Sequence, residues 1–145
     1  CDGLKGVISI LLVALIDNYS YNAILLASIF SLLGHNYNIF LKLKGGRGLA
    51  TAAGIFLCIN PIVFFIWCII WVISYFLIKR NVHIANALAT LISPIILILI
   101  PNYIISTFSF FSITIGDYIS LSAIICIIVL LRHISPIYSL IKSNE

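Results

Sequence analysis

"TAAGIFLCINPIVFFIWCIIWVISYFLI", residues 51–78, is apolar almost throughout, yet it is broken once, at Asn60-Pro61. A helix that crosses a bilayer needs about 20 residues to cover a hydrocarbon core of about 30 Å. The stretch is too long for one such helix and too short for two. Pro61 lacks a backbone donor and restricts the residue before it, so a helix must end there. The segment therefore divides into a short or half-length limb ending near Asn60 and a longer limb, 61–78, able to return. Short and broken helices survive at membrane depth only where other protein or a wet cavity satisfies their backbone.

Composition makes the bilayer the solvent. Of 145 residues, 63% are hydrophobic and 8% charged, and the mean hydropathy is +1.24. A soluble domain carries roughly a quarter charged residues, so this chain cannot cover itself with polar surface. It reads as one integral membrane domain over residues 1–145, with no separate soluble module. The net charge of +4 reports topology and not nucleic-acid binding, because Lys and Arg are retained on the cytoplasmic side. Cys1, Cys58, Cys68 and Cys126 lack metal-ligand spacing. The last three lie in apolar runs, where a thiol behaves as a small core residue. No cofactor or metal is expected.

Apolar segments run about 4–16, 23–34, 53–60, 61–78, 83–100 and 117–131, which predicts an all-α polytopic bundle. The basic residues lie at the ends of these segments or between them: Lys5, then Lys42, Lys44 and Arg47, then Lys79-Arg80, then Arg132 and Lys142. The connections 17–22 and 101–117 hold no Lys or Arg. If every basic cluster is cytoplasmic, an even number of crossings separates each pair of neighbours. With the short and broken segments, that predicts a thin, hollowed, multi-pass bundle with a site facing the cytoplasm. A sheaf of tilted helices with a passive interior is the plainer alternative, since bilayer thinning absorbs such mismatch.

The candidate chemistry lies in "HNYNIFLKLKGGRGLATAAG", residues 35–54. Backbone N–H groups of a glycine-rich turn can converge on an anion, because glycine adopts positive φ and permits close approach. Where the turn opens a helix, first-turn donors and the helix dipole add to the attraction. Lys44 and Arg47 supply charge and Thr51 a hydroxyl, so the expected guest is a phosphate. The spacing is not that of a Walker A loop, and no nucleoside triphosphate is implied. The same residues would also serve as ordinary cytoplasmic loop composition. His35 stands beside the turn, His83 follows Lys79-Arg80, and His133 adjoins Arg132; each histidine borders a basic cluster. Asp2 and Lys5 are one helical turn apart at the start of an apolar helix, either near the site or as an interfacial ion pair.

These residues, in this order, resemble the bacterial membrane glycerol-3-phosphate acyltransferases that use acyl phosphate as donor. The family pattern has a D-x-x-K-G entry to a helix, matched by Asp2 through Gly6. Its central signature, G-H-x-x-P-x-F-x-x-F-K-G-G-K-G-x-A-T, is matched by Gly34-His35, Phe40, Lys44, Gly45, Gly46, Gly48, Ala50 and Thr51. An Arg-His pair near the C-terminus completes it, as Arg132-His133. Asn38 stands where the family has Pro, Leu43 where it has Phe, Arg47 where it has Lys, and Pro136 where it has Asn.

The resemblance implies an acyltransferase acting on two partners, acyl phosphate and sn-glycerol 3-phosphate, at the surface of a lipid bilayer, giving lysophosphatidic acid. It implies Lys44, Gly45, Gly46, Arg47, Gly48, Ala50 and Thr51 as a phosphate cradle, with His35 supporting the loop. Arg132 and His133 would orient glycerol phosphate, Asp2 and Lys5 would complete the substrate site, and His133 and Arg47 would be catalytic. It also implies six of seven helical segments, the family's first helix and S-G-N-x-G-x-T-N segment being absent, and hence phosphate binding without turnover by residues 1–145 alone. The rival reading is an anion transporter or channel subunit with a cationic mouth. Transport favours ionisable groups near mid-membrane, and the apolar segments carry none there.

Overall fold

The computed structural model describes residues 2–16, 20–38, 42, 45–78, 80–111 and 113–134. Its described elements are seven helices: α1 (Asp2–Ile16), α2 (Tyr21–Asn36), α3 (Leu49–Ile59), α4 (Pro61–Leu77), α5 (Val82–Leu99), α6 (Asn102–Thr107) and α7 (Ile115–Leu131). Apart from α6 they alternate in direction. The starts of α1, α3 and α5 therefore share one end of the bundle with the ends of α2, α4 and α7. The described basic residues gather at that end.

Sequence dictates each boundary locally. Ser20 caps α2 by accepting from the Ala23 N–H, and Thr114 with Asp117 forms a reciprocal capping box at α7. Asn60 ends α3 and caps α4, with Pro61 in the first helical position. Its carboxamide oxygen accepts from the Ile62 N–H at 3.1 Å, and its nitrogen donates to the Ile105 carbonyl at 2.9 Å. The broken limb is as short as the proline required: α3 has 11 residues, about 16 Å of helix, against about 25 Å for the 17 residues of α4.

The segment 101–117, which reads as a plain connection, does more than connect. Residues 102–107 form α6, Ile105 is buried, and the Phe110 N–H donates to the Ile59 carbonyl at 3.2 Å. The loop thus satisfies backbone groups freed where α3 stops short.

Helix contacts are widest between α1 and α3. There a Cβ at Gly6 would strike the Thr51 carbonyl oxygen, and one at Gly54 the Gly3 carbonyl oxygen. Small residues let the two backbones approach closely, as is usual within membranes. The core holds Ile24, Leu32, Ile55, Ile59, Leu121 and Ile125. Polar groups are buried with them: Trp71 Nε1 donates to Asn86 Oδ1 at 2.6 Å and Trp67 Nε1 to Thr90 Oγ1 at 3.1 Å. The outside is apolar as well, with Leu15 83% and Leu99 78% exposed. A bundle greasy without and partly polar within is matched to hydrocarbon, not water. Among the described residues only α5, with 18 residues, is long and apolar enough to cross a bilayer by length alone.

Candidate active site

The glycine turn is locked from three sides. The Gly46 N–H donates to the His35 carbonyl at 3.3 Å. Arg132, just past α7, donates from Nη2 to the Gly45 carbonyl at 3.2 Å and from Nε to the Gly46 carbonyl at 3.4 Å. Its guanidinium lies over the Tyr37 ring, 4.8 Å from the centroid. A Cβ at Gly46 would land on the His35 imidazole. Positive φ belongs to Gly48, at 80°, which opens α3 in the left-handed region. A Cβ there would lie 2.7 Å from Asn36 Oδ1.

Beside the turn, exposed Arg47 donates from Nη1 to Nδ1 of His83, 2.7 Å away in the first turn of α5. His133 is buried, and its Nδ1 lies 2.9 Å from the Val129 carbonyl. A carbonyl only accepts, so Nδ1 carries the proton and Nε2 presents a lone pair, which has no protein partner. Burial pushes the His133 pKa down. The hydrogen bond to Val129 opposes this, while the charges of Arg47 and His83 push it further down. The arrangement holds a neutral, buried acceptor next to an arginine.

The start of α1 closes another side. Asp2 pairs with Lys5 at 3.0 Å and lies 3.6 Å from His35 Nδ1. The hydrogen bond from Lys5 holds the Asp2 carboxyl below its ordinary value; desolvation opposes it, and the charges of His35 and Lys5 add to the lowering. Thr51 is buried, and its hydroxyl donates to the Asp2 carbonyl at 3.3 Å.

Asp2, Lys5, His35, Gly45, Gly46, Arg47, Gly48, Ala50, Thr51, Arg132 and His133 are thus drawn to one end of the bundle. Lys44 and Pro136 lie outside the described residues. Two details differ from the open cradle expected. The Gly46 N–H and the Thr51 hydroxyl are committed within the protein. The reason is that polar groups packed between helices take protein partners where water is excluded. Arg132 likewise holds the turn itself.

Sequence reasoning left out Asn36, whose fully buried carboxamide has neither atom partnered, and Tyr37 beneath Arg132. It counted His83 with a basic cluster but not with the site. The helix-capping Asn81 marked the start of α5 and so placed His83 in a first turn. Nothing in the sequence paired it with Arg47.

Fold and site together define a helical membrane protein with a cationic, histidine-bordered glycine turn at one end. A family described as "Glycerol-3-phosphate acyltransferase" matches residues 1–143. The chain belongs to the glycerol-3-phosphate acyltransferase family.

It is 31% identical over 148 residues to the glycerol-3-phosphate acyltransferase of Neisseria meningitidis serogroup A, covering 99% of this chain and 67% of that one. It is also 31% identical over 145 residues to that of Fusobacterium nucleatum, with the same coverage. Among solved structures it is similar to PlsY (YgiH), an integral membrane glycerol 3-phosphate acyltransferase. The lysophosphatidic acid form superposes with a TM-score of 0.74 at 26% identity, covering 99% of this chain and 67% of that one. The glycerol 3-phosphate form gives 0.73, also at 26% identity, with 99% and 66% covered.

Proposed function

We propose that this chain carries the phosphate-binding end of an enzyme that moves an acyl group from acyl phosphate to the 1-hydroxyl of sn-glycerol 3-phosphate. Family membership supports the reaction class, and the substrate and product named for PlsY support the acceptor. The single observation carrying the site is His133: a buried imidazole, its pKa pushed down by burial, whose Nε2 has no protein partner.

In this reading Nε2 accepts a hydrogen bond from the glycerol hydroxyl and aligns its oxygen on the acyl carbon. A new C–O ester bond forms as the carbon–oxygen bond to phosphate breaks. The departing phosphate takes the electron pair and the hydroxyl proton, so no further base is needed. Arg47 stabilises the phosphate charge, with Lys44 beside it. His35, Gly45, Gly46, Gly48, Ala50, Thr51 and Arg132 hold the turn, and Asp2 with Lys5 closes its flank. Below the turn, a cavity of about 30 Å³ between α3, α4, α5 and α7 is lined by Ala52, Phe56, Trp67 and Val129. It provides an apolar wall on the side an acyl chain would face.

The same reading places the chain as a multi-pass protein of a bacterial inner membrane, its basic end in the cytoplasm. What supports this is the gathering of Lys5, Arg47, Arg80 and Arg132 at one end. The decisive experiment is acyl transfer from palmitoyl phosphate to labelled glycerol 3-phosphate by the full natural polypeptide in detergent. H133F is expected to lose most turnover, on the order of a hundredfold, by the loss of the hydrogen-bond acceptor that aligns the hydroxyl. Unchanged turnover by H133F would remove His133 from the reaction.

A further inference from the structure

We propose that His83 is a positioning residue for Arg47, holding its guanidinium over the glycine turn so that the anion meets a preset charge. This rests on the reading of Arg47 as a phosphate-binding group. Arg47 is exposed, and a free arginine there would sample many rotamers. Its Nη1 instead meets His83 Nδ1 at 2.7 Å, a bond spanning 36 positions in sequence.

Guanidinium only donates, so His83 accepts on Nδ1. His83 itself is fixed from below. Its backbone N–H donates to Asn81 Oδ1 at 3.0 Å, which ties it to the capped start of α5. The charge of Arg47 also acts on buried His133, just past the end of α7. One Nη1 proton is engaged with His83, and the remaining N–H groups of the fork stay available to an oxyanion.

Two variants of the natural polypeptide separate this role from simple packing. His83→Phe keeps the ring and removes the acceptor, while His83→Asn places a carboxamide oxygen near the position of Nδ1. The probes are calorimetric binding of orthophosphate and of sn-glycerol 3-phosphate, with KM and kcat of acyl transfer measured alongside. His83→Phe is expected to weaken phosphate binding and raise KM about tenfold, with kcat within about threefold, the scale of one charge-assisted hydrogen bond. His83→Asn is expected to recover most of that loss.

Binding by His83→Phe equal to or tighter than that of the unaltered protein would overturn the proposal, showing Arg47 either indifferent to His83 or sequestered by it. So would His83→Asn as weak as His83→Phe, since the ring and not the acceptor would then matter. An unaltered protein that binds no phosphate overturns it as well. If the unaltered protein binds phosphate yet transfers no acyl group, the reaction fails while the binding series still decides the role of His83.

Discussion

Arg132 offers the most direct test of the locked turn. Its side chain makes two donor contacts to glycine carbonyls, at 3.2 and 3.4 Å, and one ring contact at 4.8 Å. Hydrogen bonds to a charged group contribute about 1.5–3 kcal/mol each, and these lengths argue for the lower bound. The Tyr37 contact adds about 0.5–1 kcal/mol. Arg132→Ala should therefore cost about 3–4 kcal/mol of turn order, or several hundredfold in kcat/KM at about 1.4 kcal/mol per decade. Arg132→Lys keeps the charge but can reach only one carbonyl; about 2 kcal/mol, or roughly thirtyfold, is expected. Tyr37→Leu removes only the ring contact and should cost about two- to fivefold.

The assay is acyl transfer by the full natural polypeptide, with the rate of tryptic cleavage after Lys42 and Arg47 as a readout of turn order that is independent of chemistry. The order Tyr37→Leu, Arg132→Lys, Arg132→Ala should appear in both measurements. An Arg132→Ala protein with kcat/KM within threefold of the unaltered one, cleaved no faster, would refute the reasoning.

Three further outcomes are expected. Because burial depresses the His133 pKa below its ordinary 6.5, the folded state binds fewer protons there than the unfolded state. The stability His133 contributes is thus fully present above about pH 6.5 and falls as pH drops through the lowered value. Melting temperature between pH 7.5 and 5 should decline more steeply in the unaltered protein than in His133→Gln, and a parallel decline would contradict this. Gly46→Val should abolish phosphate binding while membrane insertion persists, because the new side chain collides with His35; retained binding would make the turn mere loop. A cysteine at Asn102 should be labelled by an impermeant reagent on intact cells and one at Lys42 should not, and the reverse pattern would invert the proposed topology.

How much could be read from residues alone follows from what each signal depends on. Pro61 ends a helix through its own missing donor, so the break at 60–61 and the short α3 were legible in the chain. The spacing of basic residues encodes topology pairwise, so their gathering at one end was legible too, as was the family through Gly34-His35, Lys44 to Gly48 and Arg132-His133.

Contacts between distant segments were not legible, because they depend on how helices cross. Local sequence made Gly46 an anion donor; packing of α2 beneath the turn gave its N–H to His35 instead. Thr51 was a free hydroxyl until the close crossing of α1 and α3 brought the Asp2 carbonyl against it. Arg132 and His133 are adjacent just past the end of α7, yet Arg132 reaches the glycine carbonyls while His133 is buried. Likewise Arg47 met His83 only when α5 began beside the turn. Chemistry-bearing residue types are local properties and survive in the sequence; which partner each one meets is a property of the packed bundle, where most buried donors take an acceptor the fold supplies.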